Sequence, residues 1–439
     1  MDQATRRWHL RAAILGGLAN CVLLAVGIGT LPAQTPTGAP TGDTPPPQAL
    51  ADCLRIALEQ QPALVAHRAS LAAAQEGYRG VQNLLVPTFL ARDLPIRRKQ
   101  SCLGVTIAYA GLCQAEWETV YAVTRTYFGV VYARQQLRVA DDLVNSLRFY
   151  QERVRDLVNK GESPKEWTTS TVDKITVYLQ LADVRKSEAL RGIDRATAAL
   201  REAMGVGPEM PIEVAEQTLP APNVTAKREE IVAMALGRRG ELVQVVTAAL
   251  VVDLEIDAQG KSFFRPTAPT FASGADIHAR PVPQGYSNRE YRPGATGLEM
   301  PPNLAGTRSS RIEHARDLSA RAAAVVDKTR NLIALEAEDM YYKWEEAARK
   351  VPQSDVAEQA GNRLAKNTRE DFRAAQRVKI EDILTNEALA AQAAATHNEA
   401  LYQLVVALAD LQRVTAGGFD SGFGGLVCTG GTPTMRAAH

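Results

Sequence analysis

The chain is poor in the residues that build metal centres and disulfide frameworks. Its 439 residues include five cysteines and six histidines, and no two histidines stand at the spacing of a metal-binding pair. Cys53, Cys102, Cys113 and Cys428 follow the N-terminal segment, which is too few for a disulfide framework in a chain of this length. We therefore expect no bound metal and no cofactor.

A charge bias and an assembled catalytic set are also missing. The net charge is +1, so the sequence gives no electrostatic basis for binding nucleic acid. No nucleophile, base and orienting residue can be grouped, which argues against an enzyme. Gly260-Lys261-Ser262 is similar to the end of a phosphate-binding loop, but that motif requires glycine where Glu255 stands. We interpret the segment as a helix end.

Only one long uncharged run is present, and it lies near the N-terminus. Arg6, Arg7 and Arg11 precede the run at 12–31, and Pro32-Ala33 follows it. This pattern predicts an export signal at 1–33. The run is also long enough to span a bilayer as an uncleaved anchor, and this alternative stays open. A Thr-, Pro- and Gly-rich linker is predicted at 34–48.

Helical periodicity is abundant. Two amphipathic patterns face each other between about Gln114 and Met204, across a break at 160–164 where Gly161 ends one helix and Pro164 begins the next. They predict an antiparallel coiled-coil hairpin. A second hairpin is predicted from Arg308 to about Ala375 and back to Thr415, with a kink at Pro352. The seam of the first returning arm contains Val172, Ile175, Leu179, Ala182, Ala189, Ile193, Ala196, Leu200 and Ala203, interrupted by Lys186.

The pattern occurs twice along the chain. The segment 53–64 is repeated at 231–242, and Tyr127-Phe128 is matched by Met340-Tyr341. Between these landmarks the second copy has about 35 additional residues, as expected for a duplication with one unequal insertion. The predicted domains are a first repeat at 49–205, a linker at 206–225, a second repeat at 226–416, and a disordered Gly-rich tail at 417–439.

The additional residues lie at about 267–307, where helical periodicity fails. Segments 270–279 and 291–300 predict two short strands around a turn. The first copy has only about ten residues here, at 88–97, which leaves no room for a hairpin.

Two groups of side chains are candidates for function. Carboxylates near the hairpin tips are either solvated helix ends or a ring that selects cations at a pore entrance: Asp156, Glu162, Asp371, Glu381 and Asp382. Aromatic residues at helical spacing are predicted to pack in the core and not to bind a ligand: Trp117, Tyr127, Tyr132, Tyr341, Tyr342 and Trp344.

In their order, these landmarks resemble the outer-membrane efflux protein family, the TolC-like outer membrane factors. The resemblance covers about 49–416 and rests on the duplicated openings, Pro87 and Pro266 after the second helix of each copy, the run 297–301 leading into Arg308, the two hairpin tips, and the ends at 200–205 and 408–411. It implies a mainly α fold, in which tandem-duplicated long antiparallel hairpins from three chains form an α-helical barrel with a small β-barrel in the outer membrane.

The resemblance also implies a passive conduit of a tripartite efflux or type I secretion system, with a periplasmic membrane-fusion adaptor, an inner-membrane transporter and outer-membrane lipid as partners. The adaptor-contact residues carried onto this chain are Lys160, Gly161, Glu162, Ser163, Gln376, Arg377, Val378 and Lys379. Glu162 departs from the family, which usually has an apolar residue there. One β-hairpin per chain would give a trimer only six strands, so we hypothesise a reduced or missing membrane barrel. The alternative is a non-conducting exported coiled-coil scaffold of the envelope.

Overall fold

A computed structural model describes residues 46–87, 89–161, 164, 167–262, 266–271, 298, 300–374 and 379–423. Long helices dominate this part of the chain. The elements are α1 (Leu50–Gln60), α2 (Pro62–Gln82), α3 (Leu94–Lys160), α4 (Thr169–Met204), α5 (Arg228–Arg238), α6 (Gly240–Lys261), β1 (Thr267–Pro269), β2 (Asn303–Ala305), α7 (Arg308–Arg373) and α8 (Ile380–Val414).

The duplicated openings fold alike. Pro62 is the first residue of α2, where its missing N–H costs no helical hydrogen bond, and Gly240 is the first residue of α6. Cys53 of α1 and its counterpart Ile231 of α5 are both fully buried. Each short helix thus fixes the start of the longer helix that follows it.

The first predicted hairpin consists of α3 and α4. At about 1.5 Å per residue the 67 residues of α3 extend roughly 100 Å, and Gly161 ends the helix in the left-handed conformation with φ of 69°. Ile175 and Leu179 of the predicted seam are buried. The predicted start at Pro164 is wrong: α4 begins at Thr169, because Thr168 caps the helix and its N–H donates to Thr171 Oγ1 at 3.1 Å.

The second predicted hairpin consists of α7 and α8. The helix α7 continues through Pro352 without a break. The two helices approach closely at Gly361, where an added Cβ would lie 3.1 Å from Ala390 Cα. Small residues on α7 and α8 therefore bring the two helices together.

The long helices pack side by side in a row. Toward the tips, α4 packs on α3, α3 on α8, and α8 on α7; toward the other end, the order is α2, α3, α6 and α7. One apolar cluster near the tips contains Val144 and Leu147 of α3, Leu179 of α4, and Ile383 of α8. At the tip end, α4 and α7 are thus the edges of the row.

A short antiparallel pair of strands precedes α7. Ala268 of β1 lies opposite Leu304 of β2. The strands predicted at 270–279 and 291–300 fall largely outside the described residues. The predicted start of the first strand at Thr270 is wrong, because Thr270 and Phe271 are not in a strand. Between α2 and α3, the described residues 83–87 and 89–93 contain no strand, as predicted.

The beginning of the C-terminal tail is ordered, contrary to prediction. Phe419 is buried, and its N–H donates to Thr415 Oγ1 at 3.0 Å. The ring of Phe423 lies 5.3 Å from that of Phe128. Packing of the two phenylalanines outweighs the flexibility of the glycines around them; Cys428 lies outside the described residues. None of the described helices combines the length and apolarity needed to cross a membrane.

Candidate functional site

The edges of the helix row expose apolar side chains. On α4, Val177, Leu181 and Val184 are 57%, 60% and 55% exposed. At 3.6 residues per turn they lie about half a turn from the buried seam that faces α3. Val356 and Leu364 are exposed on α7, the opposite edge. Below, α4 edge means Val177, Leu181 and Val184, and α7 edge means Val356 and Leu364.

The predicted adaptor-contact residues lie at the two hairpin tips. Lys160 and Gly161 end the first outgoing helix, and Lys379 directly precedes α8. All three are exposed. The other five predicted contact residues, Glu162, Ser163, Gln376, Arg377 and Val378, lie outside the described residues.

The predicted pore-entrance carboxylates gather at the tip end, but two of them are paired with lysines. Asp156 Oδ2 lies 3.2 Å from Lys160 Nζ in the same helix, and Glu381 Oε1 lies 2.7 Å from Lys174 Nζ of α4. The hydrogen bond from Lys174 lowers the pKa of Glu381. Asp371 and Asp382 are exposed at the same end, while Glu162 lies outside the described residues. The Lys174–Glu381 pair links the two hairpins.

An aromatic cluster also joins the tips, and the sequence analysis missed it. The ring of Phe372, near the end of α7, lies 5.0 Å from that of Tyr150 of α3 and is stacked 6.0 Å from that of Trp167. Phe149 is the fourth member. The cluster holds the first tip against the second, so the chain presents both tips as one surface. Trp167, a large apolar residue three positions after the predicted break at 160–164, was the available signal.

The polar partner of this cluster is a buried carboxylate. Glu387 of α8 accepts two hydrogen bonds from Arg369 of α7, both at 2.8 Å, and one from the Tyr150 hydroxyl at 3.1 Å. Burial and the Glu387 charge raise the pKa of Tyr150, so its hydroxyl stays protonated and donates. Three helices of the row are thereby held together near the tips.

Proteins of known structure share this arrangement of helices. No protein-family model and no curated protein matches the chain. Among solved structures, the outer-membrane channel OprN is 14% identical with a TM-score of 0.67, over 84% of this chain and 90% of that one. VceC of Vibrio cholerae is 12% identical with a TM-score of 0.64, over 84% and 97%. CmeC of Campylobacter jejuni is 11% identical with a TM-score of 0.62, over 85% and 86%.

The chain has the outer-membrane efflux-channel fold. The predicted mainly α architecture of tandem helical hairpins is confirmed, and so is the resemblance to TolC-like proteins at the level of the fold. The predicted core packing of the aromatic side chains holds for Tyr127 and Tyr132 but is wrong for Tyr342, which is 50% exposed on α7. Tyr127 is fully buried, and Tyr132 stacks on Tyr402 with ring centres 4.9 Å apart.

A buried ion network fixes the middle of this efflux-channel fold. Glu336 of α7 is paired with Arg239, directly before α6, and with Arg413 of α8, whose Nη2 lies 2.9 Å from Glu336 Oε1. Burial alone would raise the pKa of Glu336, but the two guanidinium groups lower it overall. Asp410 accepts from Arg413 at 3.0 Å and from the Tyr121 hydroxyl at 3.1 Å. Its pKa is raised, because burial outweighs these contacts.

Proposed function

We propose that three copies of this chain close into a tunnel that reaches the outer membrane and acts as a passive conduit for export, as part of a tripartite efflux or type I secretion system. The chain would supply the passage, and a coupled pump would supply the energy. The proposal assigns no catalytic step to the protein.

The open helix row is the observation that supports this proposal. A row of four helices with uncovered edges leaves the α4 edge and the α7 edge in contact with water, at a cost of about 25 cal/mol for each Å² of apolar surface. The α4 edge of one copy can pack against the α7 edge of the next. If the rotation that relates successive copies closes, the copies form a ring. The efflux-channel fold shared with OprN and VceC agrees with such a ring.

The tips support the second part of the proposal. Lys160, Gly161 and Lys379 are exposed and are held in one place by the aromatic cluster. We propose that this surface, with the remaining predicted tip residues, contacts a periplasmic membrane-fusion adaptor, which in turn would contact an inner-membrane transporter. Asp371 and Asp382 are the tip carboxylates best suited to face a pore entrance, since Asp156 and Glu381 are paired with lysines.

Assembly tests the proposal directly. We expect the detergent-extracted chain to have the mass of a trimer and to show a central hole by electron microscopy. Leu181→Glu places a charge on the α4 edge and should shift the mass toward the monomer. Leu389→Glu is the matched control: Leu389 is exposed on α8, an inner helix of the row, and its substitution should leave the mass unchanged.

A compact monomer would contradict the proposal. An oligomer without a hole would instead favour the non-conducting scaffold. Equal loss of assembly in the two glutamate variants would show that the edges have no special role.

A further inference from the structure

A polar cluster far from the tips joins α7 to α8. Asp355 and Glu358 are three residues apart on α7, so they share a face of the helix, and His397 approaches them from α8. One potential ligand atom from each lies within 4.8 Å of the other two. His397 Nε2 lies 3.7 Å from Glu358 Oε2.

The hydrogen bonds around His397 determine which ring nitrogen faces the carboxylates. The Ser354 hydroxyl donates its one proton to the Val351 carbonyl at 2.9 Å. The same oxygen lies 3.0 Å from His397 Nδ1, and a proton on Nδ1 satisfies both contacts, because the ring then donates to Ser354 Oγ while the hydroxyl donates to the carbonyl. This leaves Nε2 as the ring atom directed at Glu358. Metal-binding histidines are oriented in this way, with the other ring nitrogen donating to a neighbouring oxygen.

The carboxylates are similarly arranged. Gln359 Nε2 donates to Asp355 Oδ2 at 3.0 Å, which leaves Asp355 Oδ1 for another partner. The lone pair of an unprotonated Nε2 and those of the two carboxylates repel one another. A cation bound between the three groups would remove this repulsion. A tetrahedral ion about 2.1 Å from each donor atom holds the donor atoms about 3.4 Å from one another. Small side-chain movements would bring the three ligand atoms, now within 4.8 Å of one another, to this distance.

We propose that Asp355, Glu358 and His397 bind a divalent transition-metal ion of the zinc type, which clamps α7 to α8. One imidazole and two carboxylates suit such an ion better than Mg²⁺ or Ca²⁺, which prefer oxygen ligands alone. The site lies about 25 Å along α8 from its first residue, beside Pro352, where α7 lacks a backbone donor. The ion would link α7 to α8 close to the backbone hydrogen bond that Pro352 does not make.

Zinc titration of the full chain in detergent, after treatment with a chelator, tests the site. We expect calorimetry to show one ion per chain at this site, with binding weakened at least about a hundredfold by His397→Gln or Glu358→Gln. Ser354→Ala keeps all three ligands but frees the ring, and should weaken binding about 10–100-fold. His314→Gln is the matched control, since His314 is an exposed histidine of α7 beside Glu313.

The thermal unfolding midpoint supplies a second readout. Zn²⁺ should raise it for the wild type and for His314→Gln but not for His397→Gln, and Mg²⁺ should leave it unchanged. Failure of the wild type to bind zinc would overturn the proposal. An equal loss of binding in His314→Gln would overturn it as well, because zinc would then be bound adventitiously. Neither result would affect the proposed conduit.

Discussion

At the scale of single residues, Glu336 is a buried carboxylate shared by two buried arginines. Glu336→Gln leaves Arg239 and Arg413 buried without their shared carboxylate, and losing one partner of a buried ion pair costs roughly 3–5 kcal/mol. Both arginines keep other acidic partners, so we expect a loss of about 3 kcal/mol in the free energy of unfolding. Chemical denaturation would measure it. Glu338→Gln removes an exposed partner of Arg228 and should cost under about 1 kcal/mol.

The charge of Glu336 also gives stability a pH dependence. Its pKa is lower in the folded chain than the ordinary value of 4.5, so its contribution is complete above that value. As the pH falls below 4.5 and through the lowered folded pKa, the contribution is lost. The difference in unfolding free energy between wild type and Glu336→Gln should therefore shrink in acid. A constant difference from pH 7 to pH 3 would contradict this assignment.

At the scale of elements, the end of α4 depends on a glycine that packs against the α1–α2 joint. Gly205 has a φ of 71°, and a Cβ there would lie 2.6 Å from Gln61 Cα. Gly205→Ala adds the left-handed penalty of about 1–2 kcal/mol to this clash. We expect a total loss of at least about 2 kcal/mol in the free energy of unfolding.

Gly207 supplies the control for that measurement. It lies two residues further along, its φ is not positive, and a Cβ would meet no atom within 4 Å. Gly207→Ala should change the free energy of unfolding by less than about 0.5 kcal/mol. If both alanine variants are equally stable, the close approach of α4 to the α1–α2 joint is not a constraint on the fold.

The elements themselves could be predicted from the sequence because their signals are local. Apolar spacing marked the buried faces of α3 and α4, and Gly161 marked the end of α3. Pro164 misled because a proline can stand in a turn before a helix, and the Thr168 cap decided where α4 begins. The tail was predicted to be disordered because it is rich in glycine, but Phe419 and Phe423 pack despite the glycines near them.

The candidate sites were harder to predict because their members come from different helices. Heptad spacing shows that a helix buries one face, but not which neighbour covers it, so the order α4, α3, α8 and α7 could not be read from the sequence. The Asp355, Glu358 and His397 cluster joins two helices across a hairpin, and local spacing contains no sign of it. The same holds for Trp167 and Phe372.

At the scale of the whole molecule, an exposed apolar segment lies between α2 and α3, at the position where the second copy has its pair of strands. Leu85, Phe89 and Leu90, between α2 and α3, are 98%, 71% and 70% exposed. The segment is near the strand pair of the second copy, because Arg97 at the start of α3 donates to the Pro269 carbonyl at 2.9 Å. In the proposed conduit this end meets the membrane, so these side chains would contact lipid.

Replacing Leu85, Phe89 and Leu90 together with serine tests this contact. Full burial would contribute about 1.5–3 kcal/mol per side chain, so partial insertion of the three, contributing about 2 kcal/mol in total, is enough for the replacement to lower partitioning into vesicles of outer-membrane lipid about thirtyfold, as measured by flotation. Val65→Ser is the control: Val65 is exposed near the start of α2, about 25 Å along the helix from its last residue. The trimer mass should be unchanged in both variants, since neither alters the α4 edge or the α7 edge. Flotation of the triple variant at the wild-type level would place the membrane contact elsewhere on the chain.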